Sequence, residues 1–259
     1  MHRADVLLVE RGIAATRSQA QRLLAAGGVL IEINGAWKPL IKGASVPENA
    51  VLKQINDPAL QYVSRGGLKL AGALAHTRLS CMGKTVLDVG QSTGGFTDCA
   101  LQHGAAKIVG VDVGHGQLAA RLAKHPQVVS IEGVNARHIT AAALGAHYPA
   151  GGFERLVGDV SFISLTLVLP AIVPLLAADG ALLFLVKPQF ELQAAQLAKG
   201  GIVRDAALYG VVEQRIRSAC TACGLAVLDY FESSITGGDG NREFFVWAEH
   251  DKLIKSVNV

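Results

Sequence analysis

The sequence predicts an α/β protein in which helices cover a mostly parallel sheet, with a small α+β module before it. Seven apolar segments of strand length follow one another after residue 84, and helix patterns separate most of them. That alternation is typical of a parallel sheet buried on both faces. The last two segments are joined by the loop 233–241 instead, so we expect an antiparallel hairpin at one end of the sheet. The predicted strands cover residues 85–89, 108–113, 128–132, 155–160, 181–186, 225–232 and 243–249.

Residues 1–60 have the pattern of a separate compact module. Thr16 can cap a helix that ends near Gly27, and Asn34-Gly35 is typical of a tight hairpin turn after a strand. We place the end of this module near residue 60, where prolines and polar residues interrupt the pattern. The apolar stripe expected on the helix is Ala20, Leu23 and Leu24, and further short strands are expected over 38–46 and 50–55.

Composition excludes several classes of protein. The chain has 259 residues, of which 50% are hydrophobic, enough for one large core and one small one. An acid and a base interrupt the first apolar run, which argues against a signal peptide. The longest apolar run, near 181–186, is too short to span a membrane, so we expect no membrane partner and a cytoplasmic location.

The cysteines indicate neither a disulfide framework nor a metal site. Four cysteines are too few to staple a chain of this length. Cys220 and Cys223 have the spacing of a metal or redox pair, but no second pair or nearby histidine accompanies them. We expect this pair to lie in the core of a helix and predict no bound metal.

Basic residues are concentrated near the start of a chain whose net charge is only +3. A basic patch there would suit contacts with nucleic-acid phosphates. A solvated helix face would explain the same charges equally well. The arginines concerned are Arg3, Arg11, Arg17 and Arg22.

The segment 86–101, VLDVGQSTGGFTDCAL, runs from a strand pattern through glycines into a helix pattern. Asp88 precedes Gly90 in this turn, and Asp112 ends the next predicted strand, where an acid commonly binds ribose hydroxyls. A dinucleotide fingerprint would have other glycine spacing, and an acid beside the helix start would repel a pyrophosphate. A ligand with a ribose and a positive charge fits better, and S-adenosylmethionine meets that description. A tight turn without any ligand is the alternative.

Seven blocks occur in a set order, and together they carry a resemblance to a known family. The blocks are YVSRGGLKL (62–70), LDVGQSTGGFTDCAL (87–101), GVDVGHGQL (110–118), GDVSFISL (158–165), VKPQFE (186–191), GGIVRD (200–205) and ITGGDGNREFF (235–245). They resemble the TlyA family, long labelled haemolysins and understood as ribosomal RNA 2′-O-methyltransferases. The resemblance covers nearly the whole chain.

The resemblance implies a fold and a domain order. It implies a Rossmann-like S-adenosylmethionine-dependent methyltransferase fold, with a seven-stranded sheet whose last strand is antiparallel. Residues 1–60 would be a small α+β RNA-binding domain like that of ribosomal protein S-four, and 61–75 a linker and the start of the catalytic region. Residues 76–250 would be the FtsJ-like catalytic domain, and 251–259 a tail.

FtsJ-like enzymes use a Lys-Asp-Lys-Glu set, which the resemblance places at Lys69, Asp159, Lys187 and Glu243. Asp159 and Lys187 also follow predicted parallel strands, at the edge where open α/β sheets bind ligands. A ribose hydroxyl holds its proton at neutral pH, so a lysine that can take the proton, for which we choose Lys187, assists the reaction. Lys69 nearby would disfavour the charged form of Lys187, and the two acids would orient the lysines and the hydroxyl.

The other site residues are predicted as follows. We expect the glycine loop to hold the methionine side of the cofactor, Asp112 the ribose and Asn135 the adenine edge. Gln91 departs from the small residue that the family pattern leads us to expect, and could alter the cofactor contact. The predicted cofactor residues are Asp88, Gly90, Ser92, Gly94, Gly95, Phe96, Asp112 and Asn135, and the predicted RNA-binding residues are Arg3, Arg11, Arg17, Arg22 and Arg65.

The expected partners are ribosomal RNA or ribosomal subunits, and the sequence leaves the oligomeric state open. Three other functions compete. A membrane-active haemolysin should show a signal, a spanning segment or a lytic helix. A non-catalytic ribosome-binding protein would need a broken cofactor loop or tetrad. A dinucleotide-dependent oxidoreductase would need different glycine spacing and no acid at Asp88.

Overall fold

A computed structural model describes residues 1–14, 16–25, 27–55, 61–238 and 240–251. The chain forms two compact units, Met1–Tyr62 and Val63–Val259. The predicted tail covers residues 251–259, of which 252–259 lie outside the described part of the chain.

The N-terminal unit packs two short helices against small antiparallel sheets. Thr16 Oγ1 accepts a hydrogen bond from the Gln19 amide at 3.2 Å, so Thr16 caps its helix as predicted. Asn34 and Gly35 both have positive φ and join two antiparallel strands, which confirms the predicted hairpin turn. Ala20, Leu23 and Leu24 are buried as expected. The elements are β1 (His2–Arg3), α1 (Ala4–Glu10), α2 (Arg17–Ala25), β2 (Val29–Ile33), β3 (Ala36–Pro39), β4 (Ser45–Val46) and β5 (Leu52–Gln54).

A seven-stranded sheet forms the centre of the second unit. Its strands are β6 (Thr85–Val89), β7 (Lys107–Asp112), β8 (Val128–Glu132), β9 (Phe153–Gly158), β10 (Leu176–Val186), β11 (Leu225–Glu232) and β12 (Phe244–His250). The order across the sheet is β11-β12-β10-β9-β6-β7-β8. Strand β12 runs antiparallel to both neighbours, while β10, β9, β6, β7 and β8 are parallel. The predicted sheet, with its antiparallel last strand, is confirmed.

Burial explains why these strands could be found from the sequence. The run from Leu182 to Val186 in β10 is fully buried, as expected of a strand covered on both faces. The same strand begins at Leu176, earlier than predicted, and its pairing with β9 shifts between Leu176 and Ala181. Because the carboxyl ends of β6, β7, β9 and β10 meet at one edge of the sheet, the segments that follow them lie together.

The helices of this unit are α3 (Gly66–Thr77), α4 (Gly95–Gln102), α5 (Ala120–Ala123), α6 (Ala141–Leu144), α7 (Leu165–Ile172), α8 (Pro188–Glu191) and α9 (Ala207–Ala222). Cys220 is buried in α9, as expected, whereas Cys223 lies just past the end of that helix and is only partly buried. Among the described residues, no helix is both long enough and apolar enough to cross a bilayer.

Helix α3 covers most of residues 61–75, which were predicted as a linker and the start of the catalytic region. Its residues Leu70, Ala73 and Leu74 form a buried apolar face. The helix packs closely on α4, because a Cβ on Gly95 would lie 2.9 Å from the amide nitrogen of Gly67. Glycine therefore serves here as a small contact residue between two helices.

Candidate active site

The four residues of the predicted tetrad form two ion pairs. Lys69 Nζ lies 2.6 Å from Glu243 Oε2, and Lys187 Nζ lies 2.6 Å from Asp159 Oδ1. Lys69 comes from α3, Asp159 and Lys187 follow β9 and β10, and Glu243 directly precedes β12. The Lys69–Glu243 pair is the more deeply buried, with side chains 10% and 3% exposed.

The two pairs act on each other electrostatically. Burial is the main cause that raises the pKa of Glu243. The hydrogen bond and charge of Lys69 oppose that shift, as does the charge of Lys187, whereas the charge of Asp159 adds to it. Since Glu243 feels both members of the other pair, the four residues form one charged cluster.

Lys187 has further neighbours that sequence reasoning did not identify. Its Nζ donates to Ser161 Oγ at 2.6 Å and lies 6.0 Å from the centre of the Phe190 ring. Lys187 is the last residue before α8, which begins with Pro188. The ammonium group is therefore held at a defined position on the carboxyl edge of the sheet.

The glycine turn brings β6 and β9 into close contact. Gly90 has φ +82°, and a Cβ there would lie 2.8 Å from the Asp159 carbonyl oxygen, so only glycine fits without strain. Ser92, also with positive φ, donates its backbone N–H to Asp112 Oδ2 at 2.7 Å. The other oxygen of Asp112 accepts from the Gly114 amide at 2.7 Å. These bonds fix the Asp112 carboxylate beside the turn.

Two adjoining pockets lie at this edge of the sheet. The larger, of about 470 Å³, is lined by Gly90, Ser92, Val111, Asp112, Val113, Gln117, Val134, Asn135, Ala136, Asp159, Val160, Ser161, Phe162 and Ile163. The smaller, of about 160 Å³, is lined by Ser64, Gly66, Gly90, Gln91, Ser92, Thr93, Gly95, Phe96, Asp159, Ser161 and Lys187. They share Gly90, Ser92, Asp159 and Ser161, so a ligand in the larger pocket can extend toward Lys187.

The lining of these pockets fits S-adenosylmethionine. A carboxylate fixed beside a glycine turn suits ribose hydroxyls, and apolar walls such as Val113 and Val134 suit a base. The smaller pocket carries the backbone of the glycine loop and the polar groups of Ser161 and Lys187. The acid Asp159 beside it suits a positively charged sulfonium.

The predicted cofactor residues divide into two groups. Six of them line the pockets: Gly90, Ser92, Gly95, Phe96, Asp112 and Asn135. Phe96 is nonetheless nearly buried and stacks on Phe245, with ring centroids 6.2 Å apart. Asn135 also caps a short 3₁₀ turn, because its side chain accepts from the Arg137 amide.

Asp88 and Gly94 line neither pocket, contrary to their predicted place. Asp88 is fully buried behind the turn, where Thr97 Oγ1 donates to its Oδ2 at 2.6 Å, and burial raises its pKa to about 7. Gly94 starts α4 with φ +91°, and a Cβ there would contact Leu118 and Leu122. Both residues shape the loop from behind.

The predicted RNA-binding arginines have partners within the protein. Arg3 and Arg17 both pair with the buried Asp5, at 3.0 and 3.1 Å, and their side chains remain 59% exposed. Their hydrogen bonds hold the pKa of Asp5 well below its usual range. Arg11 donates to the carbonyls of Glu48 and Ala50, and Arg65 donates to the Thr236 carbonyl at 3.2 Å. The backbone of Arg22 lies in α2, but its side chain is not among those described.

Phe162 lies in the segment GDVSFISL (158–165), but it was not predicted as a site residue. Its side chain is 91% exposed at the wall of the larger pocket, and its φ is +63°. The ring lies 5.2 Å from that of Phe190. An exposed aromatic on strained backbone makes Phe162 a candidate functional residue, but a positive φ at a phenylalanine cannot be predicted from the sequence.

Fold and site together define the class of protein. Residues 62–250 match the family described as FtsJ-like methyltransferase, and the chain belongs to that family. The prediction of an enzyme that uses S-adenosylmethionine is thereby confirmed. A Listeria monocytogenes structure titled as an S-adenosylmethionine-dependent methyltransferase shares the fold, with a TM-score of 0.51 at 16% identity, over 71% of this chain and 100% of that one.

More similar relatives identify the group within this family. Over 245 residues the chain is 40% identical to the 16S/23S rRNA (cytidine-2′-O)-methyltransferase TlyA of Mycobacterium tuberculosis, covering 95% of this chain and 88% of that protein. It is 37% identical over 242 residues to Hemolysin A of Brachyspira hyodysenteriae, covering 93% and 97%. A solved structure from Streptococcus thermophilus that carries a hemolysin name has a TM-score of 0.72 at 39% identity, covering 97% and 89%. The predicted resemblance to the TlyA family is confirmed.

Proposed function

We propose that this chain methylates the 2′-hydroxyl of a cytidine ribose in ribosomal RNA. The observation that carries the proposal is the charged cluster beside the two pockets, in which Lys187 and Asp159 pair next to the space for the methyl donor. The substrate follows from relatives that are named as rRNA (cytidine-2′-O)-methyltransferases.

The residues at the cluster have distinct roles in this reaction. Bound S-adenosylmethionine supplies a methyl group on a sulfonium that needs no further activation. Lys187, in its neutral form, accepts the hydroxyl proton at Nζ while the ribose oxygen bonds to the methyl carbon. The bond between that carbon and the sulfonium sulfur breaks, and the sulfur leaves as a neutral thioether. Asp159 and Ser161 hold the resulting ammonium in place. Lys69 and Glu243 keep the ribose side of the cluster ordered.

Binding geometry supplies much of the rate in such a transfer, because the oxygen and the methyl carbon must meet in line. We assign Gly90, Ser92 and Asp112 to the cofactor, with Asn135 at the base. Arg3, Arg11, Arg17 and Arg65 would contact RNA phosphates, because each of these four residues is exposed while a protein partner orients it. Residues 1–60 are thus proposed as the RNA-binding domain.

A transfer assay tests the proposal. Purified protein is incubated with tritiated S-adenosylmethionine and either ribosomal subunits or naked rRNA, and label in RNA is counted. We expect Lys187→Ala to lower the rate by about 10²-fold or more, with cofactor affinity nearly unchanged. Lys187→Arg should be as inactive, since an arginine keeps the charge but cannot accept a proton.

The matched control is Lys84→Ala, which removes another paired lysine, 2.7 Å from Glu154, just before β6. This variant should transfer methyl groups at the wild-type rate. If the wild-type protein binds the cofactor but transfers no label to RNA, the result would favour a non-catalytic ribosome-binding role. An active Lys187→Arg would refute the assignment of Lys187 as proton acceptor.

Phe162 offers a second test of the RNA substrate. An exposed ring beside the transfer site can stack on a base that has left its helix. We expect Phe162→Ala to lower kcat/KM for RNA by about 10-fold or more, at about 1–3 kcal/mol per stacked base. Phe162→Tyr keeps the aromatic face and should be near wild type, and both should bind S-adenosylmethionine normally. Equal loss in both variants would argue against stacking.

A further inference from the structure

The side chain of Gln91 is buried behind the glycine turn. The sequence placed Gln91 in the loop, where it could alter the cofactor contact, yet the residue is only 3% exposed. Its amide rests on Gly110 in β7, and a Cβ at that glycine would overlap the amide. A glutamine in the loop and a glycine in the neighbouring strand thus fit one another.

A chain of hydrogen bonds runs through this amide. Ser130 Oγ donates to Gln91 Oε1 at 2.6 Å, and Gln91 Nε2 donates to Thr97 Oγ1 at 2.9 Å. Thr97 Oγ1 then donates to Asp88 Oδ2 at 2.6 Å. The chain connects β8, the glycine loop, α4 and β6.

The direction of each bond follows from chemistry. Thr97 has a single hydroxyl proton and donates it to Asp88, so toward Gln91 its oxygen can only accept. The Gln91 amide nitrogen must face Thr97, and its oxygen is left to face Ser130. An apolar side chain at 91 would leave the buried Thr97 oxygen without its donor, which a buried site does not tolerate well, whereas the exposed Ser130 hydroxyl can turn to solvent.

These hydrogen bonds hold the glycine loop, which lines both pockets. Gly90 and Ser92, on either side of Gln91, contribute to each pocket, and the Ser92 amide donates to Asp112. Gln91 itself lines the smaller pocket, yet it is nearly buried and its side chain turns to Ser130 and Thr97. Any shift of Gln91 would therefore move backbone groups on both sides of it.

We propose that Gln91 is a positioning residue for the methyl donor, which fixes the glycine loop through its hydrogen bonds to Ser130 and Thr97. This inference rests on the proposed cofactor site. Loss of the polar link should weaken S-adenosylmethionine binding about five- to tenfold, the equivalent of one buried hydrogen bond.

Calorimetric titration of the full-length protein with S-adenosylmethionine tests the inference. Gln91→Leu keeps an apolar side chain over Gly110, and Thr97→Val removes only the hydroxyl. Each should raise Kd about five- to tenfold, and the double variant should be no weaker than the single ones, because both break the same chain. Thr97→Ser keeps the hydroxyl and should bind as the wild type does. Thermal melts confirm that each variant is folded.

Two results would overturn the inference. Wild-type affinity in Gln91→Leu would mean that Gln91 only fills space over Gly110, and additive losses in the double variant would mean that the two side chains act separately. Asp112→Ala separates this failure from that of the cofactor site. If Asp112→Ala binds S-adenosylmethionine with wild-type affinity, the proposed cofactor site is wrong. If Asp112→Ala binds it weakly while Gln91→Leu binds it normally, only the proposed role of Gln91 is wrong.

Discussion

At the scale of single residues, the tetrad shows how burial and charge are balanced. Glu243 is buried, which favours its neutral form, yet Lys69 lies 2.6 Å away and favours the charged one. Lys187 and Asp159 are less buried and sit at the pocket wall. The Lys69–Glu243 pair thus lies deeper in the protein, and the Lys187–Asp159 pair lies where we propose that the substrate binds.

Asp88 provides a prediction about stability. Its pKa rises from 3.8 in the unfolded chain to about 7 in the folded one, mainly through burial. Between about pH 4 and 7 the folded state therefore holds more protons, and the free energy of unfolding falls as pH rises through this window. Asp88→Asn removes this dependence. The free energy of unfolding of the variant minus that of the wild type should therefore increase up to about pH 7, by at most about 4 kcal/mol, and then stay constant.

Urea unfolding at intervals between pH 5 and 8 measures this difference. Glu154→Gln is the control, because hydrogen bonds from Lys84 and Thr85 lower the pKa of Glu154 and place its titration below this range. The free energy of unfolding of Glu154→Gln should differ from that of the wild type by the same amount at each pH. A flat difference for Asp88→Asn as well would mean that Asp88 is not a buried acid of raised pKa.

At the scale of elements, the site depends on how closely loops at the carboxyl edge of the sheet approach one another. The Asp159 amide donates to the Val89 carbonyl at 3.1 Å, and the Gly90 amide donates to the Val111 carbonyl at 2.9 Å. These bonds continue the pairing of β6 with its neighbours beyond the strand ends. The glycine turn is therefore an extension of the sheet as well as a ligand loop.

We expect Gly90→Ala to lower stability and cofactor affinity more than Gly151→Ala does. Gly151 has a similar φ, +87°, but open space where a Cβ would lie, whereas Gly90 faces the Asp159 carbonyl at 2.8 Å. Gly90→Ala should thus be about 1–3 kcal/mol less stable than Gly151→Ala and should bind S-adenosylmethionine more weakly. Thermal unfolding and calorimetry check both effects. Equal behaviour of the two variants would show that the close approach to Asp159 is unimportant.

At the scale of the whole molecule, the chain divides into two units that each have their own core. The cluster around Leu8, Leu23 and Leu24 belongs to the first unit, and the cluster around the seven-stranded sheet to the second. The family match begins at residue 62, one residue before the second unit starts. The charged cluster and the residues that we assign to the cofactor all lie in the second unit.

A chain that begins at Val63 should separate the two proposed activities. We expect its Kd for S-adenosylmethionine to stay within about twofold of the full-length value, while affinity for rRNA and its salt dependence fall, because phosphate contacts are lost. Calorimetry and filter binding at several salt concentrations measure these quantities. Normal methylation of rRNA by the shortened chain would refute the RNA-binding role of residues 1–60.

The sequence determined a large part of the fold. Strands β6, β8 and β11 lie where apolar periodicity placed them, and the missing helix between the last two strands predicted their antiparallel pairing. Local signals were sufficient there because burial on both faces produces continuous apolar runs, and turn chemistry marks their ends. Helix α3 was not predicted, because the segment was assigned as a linker, and the glycine that starts α4 is explained only by its close packing against α3.

The motifs pointed to the residues of the site, but the tertiary structure decided which of them meet. Lys69 pairs with Glu243 and Lys187 with Asp159 because strand order brings distant segments to one edge of the sheet. Asp88 faces inward and Phe162 outward, and neither direction has a local signature. Side-chain direction at a strand end depends on the neighbouring strands and on φ values that the whole fold imposes. A sequence specifies its helices and strands through local periodicity, whereas the contacts between them form only when distant segments pack together in the folded chain.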